Sequence, residues 1–206
     1  MRIIKIALLG VILTTFANCA SGYKMIEPKS IDYVSVNEID QVKLEYKYDL
    51  LDKKYAKKET KNDVKLIAIK VTNNSDRDLK FGADLKLTYE NGSEIFIMDN
   101  EKVFEILKQS PTSYLWYLLL TPINIYTYET NSDGVQETSS TIPVGLILGP
   151  GIAGGNMIYA NSSNKKFNSE LTDYDINGRV IKKGETRYGL IGIRSDSYDS
   201  LKLKIQ

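Results

Sequence analysis

The sequence predicts a mainly β protein built as an antiparallel β-sandwich, and three patterns indicate this fold class. Apolar and charged residues alternate strictly over residues 42–50, which is the period of a strand buried on one face. Residues 66–71 are almost continuously apolar, as expected for a strand that lies in the centre of a sheet. Polar turn-forming residues follow at positions 73–76. Short strands separated by polar turns are typical of a sandwich.

Other stretches of the chain show the same pattern of short apolar strands separated by polar turns. Further strands are predicted at residues 33–36, 85–89, 95–98, 187–194 and 201–205. The pair Asn91-Gly92 is favoured in tight hairpins, so residues 95–98 are the expected returning strand. Glycines at positions 178 and 184 mark turns before the last two strands. The lysine-rich stretch at residues 53–61 is interrupted by acids and predicts a solvated loop.

Residues 100–175 do not have the pattern of strands. Asn100 is a suitable cap for a short helix that reaches Lys108. Two apolar segments follow, at residues 114–128 and 142–160, and the polar residues 129–140 between them predict a loop. The expected arrangement is therefore an α-helical hairpin inserted into the sandwich.

Glycines and prolines shape the second apolar segment. The pairs Gly145/Gly149 and Gly151/Gly155 have the spacing that lets the backbones of two helices approach closely. Pro143 and Pro150 interrupt the run, so an unbroken helix across residues 142–160 is not expected. The glycine-rich run also lacks the Lys-Ser/Thr ending of a phosphate-binding loop, and close packing explains it better.

Composition excludes several classes of function. The chain holds 27 basic and 26 acidic residues, so it offers no basic stripe for nucleic acid. It contains no histidine and one cysteine, which excludes His- and Cys-based zinc, haem and iron–sulfur sites and every nucleophile that needs a histidine. No cofactor is expected. Residues 173–178 match the first half of a calcium loop, but position 184 is glycine where a glutamate is needed, which favours a simple turn.

The first residues have the layout of an export signal. Arg2 and Lys5 provide a positive start, residues 6–16 form a short apolar run, and the only cysteine follows at position 19. The sequence Phe16-Ala17-Asn18-Cys19 resembles the lipobox of bacterial lipoproteins, in the loose form found in Bacteroidota-like bacteria. An ordinary signal peptide that is cleaved near Ala20 or Gly22 is the alternative.

The lipoprotein resemblance implies cleavage before Cys19, a diacylglycerol on its thiol and an acyl chain such as palmitate on the new amino terminus. Neither an Asp nor an acidic cluster follows Cys19, which by the sorting rules of lipoproteins implies the outer membrane, facing the periplasm. We therefore expect a signal peptide at residues 1–18, a tether at 19–31, and a β-sandwich domain at 32–206 with its helical insertion at about 100–175.

A second resemblance concerns the β domain. The stretches KVTNNSDRDLKF and VIKKGETRYGLIGIRSDSYDSLKLKI resemble the immunoglobulin-like domains of bacterial exported proteins. The resemblance covers residues 40–98 and 177–206. It implies an immunoglobulin-like architecture and no catalytic residues, because those domains share none.

The sequence thus predicts a lipid-anchored envelope protein that acts as a non-catalytic binding or structural module. Three placements of the insertion stay open: packed on the sandwich, in contact with the membrane or an envelope partner, or spanning the membrane as a hairpin. The candidate contact residues are Tyr114, Trp116, Tyr117, Leu118, Ile147 and Ile152. The alternatives are a lipid carrier that uses the apolar insertion and a hydrolase of envelope polysaccharide that uses paired carboxylates.

Overall fold

The computed structural model describes residues 19–206, so the predicted signal peptide at residues 1–18 lies outside the described residues. The described chain is mainly β, and its eleven strands pair antiparallel, which confirms the mainly β, antiparallel character that the sequence predicts. The strands are β1 Ser35–Ile39, β2 Val42–Lys47, β3 Val64–Asn73, β4 Leu79–Lys80, β5 Leu85–Tyr89, β6 Ile97–Met98, β7 Ile125–Thr130, β8 Gln136–Ile142, β9 Val180–Ile181, β10 Thr186–Arg194 and β11 Leu201–Ile205. The helices are α1 Lys53–Asn62, α2 Asn100–Leu107, a 3₁₀ helix Pro111–Leu120 and α3 Gly145–Asp173.

The contacts divide the described chain into two compact units. The first, here called the insertion unit, comprises residues 19–22 and Gln109–Ser162. The second, the β unit, comprises Tyr23–Lys108 and Ser163–Gln206. The insertion unit is therefore shorter than the insertion predicted at about 100–175, because α2 and the end of α3 belong to the β unit.

The β unit is centred on strand β3. Its five-stranded sheet has the order β1-β2-β3-β10-β6, and β3 pairs with β2 on one side and with β10 on the other. Residues 64–69 of β3 are all buried, which explains why this strand has a continuous apolar run and not an alternating one. The alternating burial of β2 matches the predicted half-buried strand.

Side chains on the two faces of this sheet enter two separate hydrophobic clusters. Ile67, Ile69 and Ile191 pack in the first cluster, with side chains from the β4–β9 and β5–β11 pairs. Leu66 and Leu190 belong to the second cluster, which also contains apolar residues of α1, α2 and α3. Successive residues of a strand point to opposite faces, so β3 and β10 contribute to both clusters.

The buried Asn73 ends β3 and holds the turn that follows it. Its Nδ2 donates to the carbonyl oxygens of Arg77 and Ile181, each at 2.9 Å, and its Oδ1 accepts from the Ser75 N–H at 3.1 Å. An asparagine can satisfy donors and acceptors at once. The Asn-Asn-Ser turn predicted here is thus built around one buried amide.

Helix α1 corrects the prediction of a solvated lysine loop. Tyr55 and Glu59 are four residues apart, lie on one face of the helix and are buried, whereas Lys53, Lys57 and Lys61 are exposed on another face. Two inward residues are too few to produce a recognisable helical period in the sequence. The Glu59 carboxylate accepts the Leu66 N–H at 2.7 Å, and burial raises the pKa of Glu59 to about 7.

The segment expected to be a tether packs against the β unit from residue 23 onward. Tyr23 and Ile26 are buried in the second cluster. The buried Glu170 carboxylate of α3 accepts the Tyr23 hydroxyl at 2.6 Å, the Ile26 N–H at 3.0 Å and the Glu27 N–H at 2.7 Å. Burial, followed by this hydrogen bond, raises the pKa of Tyr23, so its hydroxyl stays a donor. The Glu170 carboxylate therefore holds residues 23–27 of this segment in place.

The insertion differs from the predicted helical hairpin in its middle. The polar loop predicted at residues 129–140 is wrong, because β7 and β8 form an antiparallel hairpin there. Every residue of both strands is exposed, so burial imposes no alternating pattern on the sequence. Of the two interruptions expected, Pro143 does precede the helix, which begins at Gly145, but the break expected at Pro150 is wrong, since α3 runs through it. That proline removes one backbone hydrogen bond, and the remaining turns extend to the buried residues Phe167 and Leu171.

The raised pKa of Glu59 predicts a stability that depends on pH. The folded protein binds the proton more tightly than the unfolded chain, whose glutamate titrates near its usual 4.5. The stabilisation is full below that value and is lost as the pH rises through about 7, by about 3 kcal/mol at most. Urea unfolding between pH 4 and 8 should show this slope, and Glu59→Gln should flatten it. The exposed Glu101→Gln is the control and should keep the slope; an unchanged slope in Glu59→Gln would contradict the assignment.

Replacement of Glu170, whose carboxylate holds residues 23–27, should lower the stability of the protein. Glu170→Gln leaves one acceptor oxygen for three donors and turns an amide N–H₂ toward them, which should cost about 2–4 kcal/mol of stability. Asp173→Asn, on an exposed position of the same helix, makes the same change of charge and should cost little. Thermal unfolding compares the two variants. Equal and small losses in both would show that Glu170 does not hold this segment.

Candidate functional site

The insertion unit differs from the β unit in where its apolar side chains lie. Both hydrophobic clusters consist of residues of the β unit. In the described insertion unit, the buried apolar residues are Tyr114, Ala153 and Ala160. Its exposed large apolar residues are Leu115, Trp116, Leu118, Leu119, Ile123, Ile125, Tyr126, Tyr128, Val135, Ile142, Leu146, Ile147, Leu148, Ile158 and Tyr159. The unit therefore presents most of its apolar residues outward.

The 3₁₀ helix separates inward from outward residues with a period of three. Tyr114 is buried, and Tyr117 and Leu120 are partly buried on the same side. Trp116 and Leu119 lie on another side, where 74% and 68% of their surfaces are exposed. Residues three apart superimpose along a 3₁₀ helix, so the sequence Tyr-Leu-Trp-Tyr-Leu-Leu-Leu forms an apolar outer face here.

Two glycines let the first turns of α3 press against the chain that follows the 3₁₀ helix. A Cβ on Gly145 would collide with the carbonyl oxygens of Leu120 and Thr121. A Cβ on Gly149 would lie 2.8 Å from the Thr121 hydroxyl oxygen. The close approach predicted from the spacing Gly145/Gly149 is therefore present. The second pair, Gly151/Gly155, has nothing within 4 Å of either position and faces open space.

The β7–β8 hairpin carries all the charge of this part of the chain. Residues 109–162 contain three charged side chains, Glu129, Asp133 and Glu137, and no lysine or arginine. Glu129 is the register partner of Glu137, and Asp133 lies in the turn between the strands. The 3₁₀ helix and the first turns of α3 are consequently free of charge.

Cys19 is exposed and belongs to the insertion unit. The two residues after it are tied down: the Ala20 N–H donates to the Asn156 Oδ1 at 2.5 Å, and Ser21 exchanges two hydrogen bonds with the buried Gln109 side chain, at 2.9 and 2.6 Å. Burial and, secondarily, the nearby Cys19 thiol raise the pKa of Tyr114, which lies on the 3₁₀ helix. The Gln109 Oε1 that accepts the Ser21 N–H also accepts the Tyr114 hydroxyl, so the chain that follows Cys19 lies beside the 3₁₀ helix.

The structure places the six predicted contact residues in three environments. Trp116, Leu118 and Ile147 are exposed, and 78% of the Ile147 surface is open. Tyr117 and Ile152 are partly buried. Tyr114 is buried and donates its hydroxyl to the Gln109 Oε1 at 3.3 Å, so it supports the 3₁₀ helix from inside. For the four of them on the 3₁₀ helix, the period of that helix, rather than apolar character alone, decides which is accessible.

Sequence reasoning did not single out several exposed residues of the same segments. We use the name apolar surface for the exposed apolar residues of the 3₁₀ helix and of the first turns of α3, which are Leu115, Trp116, Leu118, Leu119, Leu146, Ile147 and Leu148. Leu119, three positions after Trp116, and Leu148, four positions before Ile152, could have been found by marking every apolar residue that lies three or four positions from a predicted contact.

Acidic residues of the β unit line one depression. Asp99, Glu101 and Asp175 contribute to its wall, and its volume is about 270 Å³. The Asn177 N–H donates to the Asp175 Oδ1 at 3.1 Å, and Gly178 has a positive φ of 72°, which is the geometry of a turn. Within residues 19–206, no group of three or more His, Cys, Asp or Glu side chains could hold a metal ion.

Two further findings bear on the site. Across the described helices, none combines the length and the apolar character that a membrane span requires. Comparison of the chain with protein-family models, with curated proteins and with solved structures finds no match.

The two glycine pairs of α3 provide a matched test of the packing in the insertion unit. Gly145→Ala should destabilise the protein by about 1–3 kcal/mol, because its Cβ meets backbone oxygens that cannot move aside. Gly155→Ala, in the same helix but facing open space, should stabilise it by about 0.5–1 kcal/mol. Urea unfolding of both variants measures the difference. The same sign for both substitutions would contradict the packing described here.

Proposed function

We propose that this protein is a lipid-anchored component of a bacterial envelope, acylated at Cys19, and that its β unit is a non-catalytic binding or structural module. The lipobox-like sequence that precedes Cys19 supports the anchor. The observation that carries the proposal is the position of Cys19. It is exposed, its following backbone is held by Asn156 and Gln109, and it shares a compact unit with the apolar surface.

This position suits an acylated residue for a physical reason. Two or three acyl chains bind a bilayer firmly, because each buried CH₂ contributes about 0.8 kcal/mol. The hydrogen bonds made by residues 20 and 21 mean that such chains would leave the protein from one defined point. The residues after Cys19 lack an acidic sorting signal, which favours the outer membrane and its periplasmic side.

The β unit is proposed to be an immunoglobulin-like sandwich. Its first hydrophobic cluster supports this, because the cluster joins the five-stranded sheet to side chains of the β5–β11 and β4–β9 pairs. A structural or binding role is supported by the two buried glutamates. Glu59 and Glu170 accept hydrogen bonds from backbone N–H groups, so both carboxyl groups hold the fold together.

Metabolic labelling with a fatty-acid probe tests the anchor. The native protein should carry the label and stay with the membrane fraction, and Cys19→Ala should lose the label. Ser21→Ala is the matched control, since the hydrogen bonds of residue 21 use its backbone, and it should be labelled like the native protein. An unlabelled native protein with a bare thiol at position 19, or a label that persists in Cys19→Ala, would overturn the proposal.

A further inference from the structure

The apolar surface carries no charged side chain that would favour its exposure to water. Its seven residues lie in segments without any charged side chain, and the three acids of residues 109–162 are confined to the hairpin between positions 129 and 137. Monomeric proteins in water rarely leave large contiguous apolar patches uncovered. Something other than water is therefore expected to cover these side chains.

We infer that the occupant is the bilayer that holds the Cys19 anchor, and that the apolar surface rests in its interfacial region. This inference rests on the proposed acylation of Cys19. The cysteine lies in the same compact unit, and Gln109 Oε1, which accepts the N–H of Ser21 two residues after it, also accepts the hydroxyl of Tyr114 on the 3₁₀ helix. Acyl chains that start at this point bring the surrounding protein surface to the membrane.

The chemistry of the surface fits a lipid interface better than a protein partner. Trp116 and the tyrosines of the same unit have amphipathic rings of the type that collects at the level of the lipid headgroups. Protein interfaces usually surround their apolar centre with a polar rim that carries direct hydrogen bonds. The exposed leucines of the 3₁₀ helix can be immersed in lipid without desolvating a charge.

Residues 109–162 contain no lysine or arginine, which determines whether the contact depends on the charge of the lipids. Interfacial helices that depend on anionic lipids carry basic residues on their polar face. The contact inferred here depends on apolar burial alone. It should therefore be the same in zwitterionic and anionic membranes and should resist salt.

Trp116 reports the contact directly, because it is the only tryptophan of the chain and 74% of its surface is exposed. The native protein, purified with its acyl chains, is reconstituted into phosphatidylcholine vesicles and into vesicles that also contain phosphatidylglycerol. Trp116 emission should be quenched by lipids brominated on their acyl chains and protected from aqueous acrylamide, equally in both membranes. Trp116 that stays open to acrylamide and is not quenched by the brominated lipids would overturn the inference.

Charge substitutions localise the contact. Leu119→Glu and Ile147→Glu place a carboxylate on the apolar surface at exposed positions, so the fold should tolerate them, and quenching by brominated lipid should be lost or strongly reduced. Phe96→Glu is the matched control: 84% of the Phe96 surface is exposed, but it lies in the β unit, and quenching should be unchanged. Equal effects of all three substitutions would count against a contact made by this surface.

Self-association and failure of the anchor give different results. Protection from acrylamide without quenching by brominated lipid would assign the surface to a second copy of the chain or another protein and overturn the inference. An absent acyl group at Cys19, found by mass spectrometry of the same preparation, would refute the proposed anchor. In that case, quenching of Trp116 in the unacylated protein would still support the lipid contact, and its absence would remove both ideas.

Discussion

The structure depends on one constraint, which is that the pair formed by β3 and β10 is buried on both faces. Nine register pairs join the two strands, from Thr186↔Thr72 to Arg194↔Val64, so their backbone groups are satisfied inside an apolar environment. Side chains of this pair enter both hydrophobic clusters. The β4–β9 and β5–β11 pairs cover the first cluster, and helices α1, α2 and α3 cover the second. Burial of these two faces therefore determines where the remaining elements of the β unit pack.

Buried polar groups attach the elements that the sheet cannot hold by itself. Glu59 joins α1 to the start of β3, Glu170 joins α3 to residues 23–27, and Asn73 joins the end of β3 to β9 through the carbonyl of Ile181. Each of them satisfies backbone groups that have no partner in a strand ladder. Leaving such groups unpaired in a core costs free energy, so the hydrogen bonds of these three side chains explain why polar groups are buried here.

The insertion unit is stabilised by different interactions from those of the β unit. It contains few buried apolar residues, and it is held together by close backbone approach at Gly145 and Gly149 and by the hydrogen bonds of Gln109 and Asn156. These contacts order a 3₁₀ helix whose outer face is apolar. An exposed apolar face of this kind is expected to be covered by a binding partner or a membrane. The proposed acylation site in the same unit indicates the nearest candidate, which is the membrane.

The sequence by itself determined where the main β-strands lie, but not all of their partners: the strand expected at residues 95–98 to return beside residues 85–89 forms β6, which pairs with β10, and β5 pairs with β11. The period of two at residues 42–50 and the continuous apolar run at 66–71 are the direct record of burial on one face and on two, and the glycines at 92, 178 and 184 mark turns with positive φ. Among the candidate contacts, apolar character identified the segments that carry them but not which residues are accessible. Tyr114 and Trp116 are both aromatic, and only their positions on the 3₁₀ helix separate the buried one from the exposed one.

Only the tertiary structure decided the elements whose stability comes from distant partners. Helix α1 has two inward residues, the β7–β8 hairpin has none, and α3 continues past Pro150 because its far end is packed in the core. Residues 23–27 are held by Glu170, which lies more than 140 positions away in the chain. A local pattern records local burial. It contains no information about a contact whose other half lies elsewhere in the sequence.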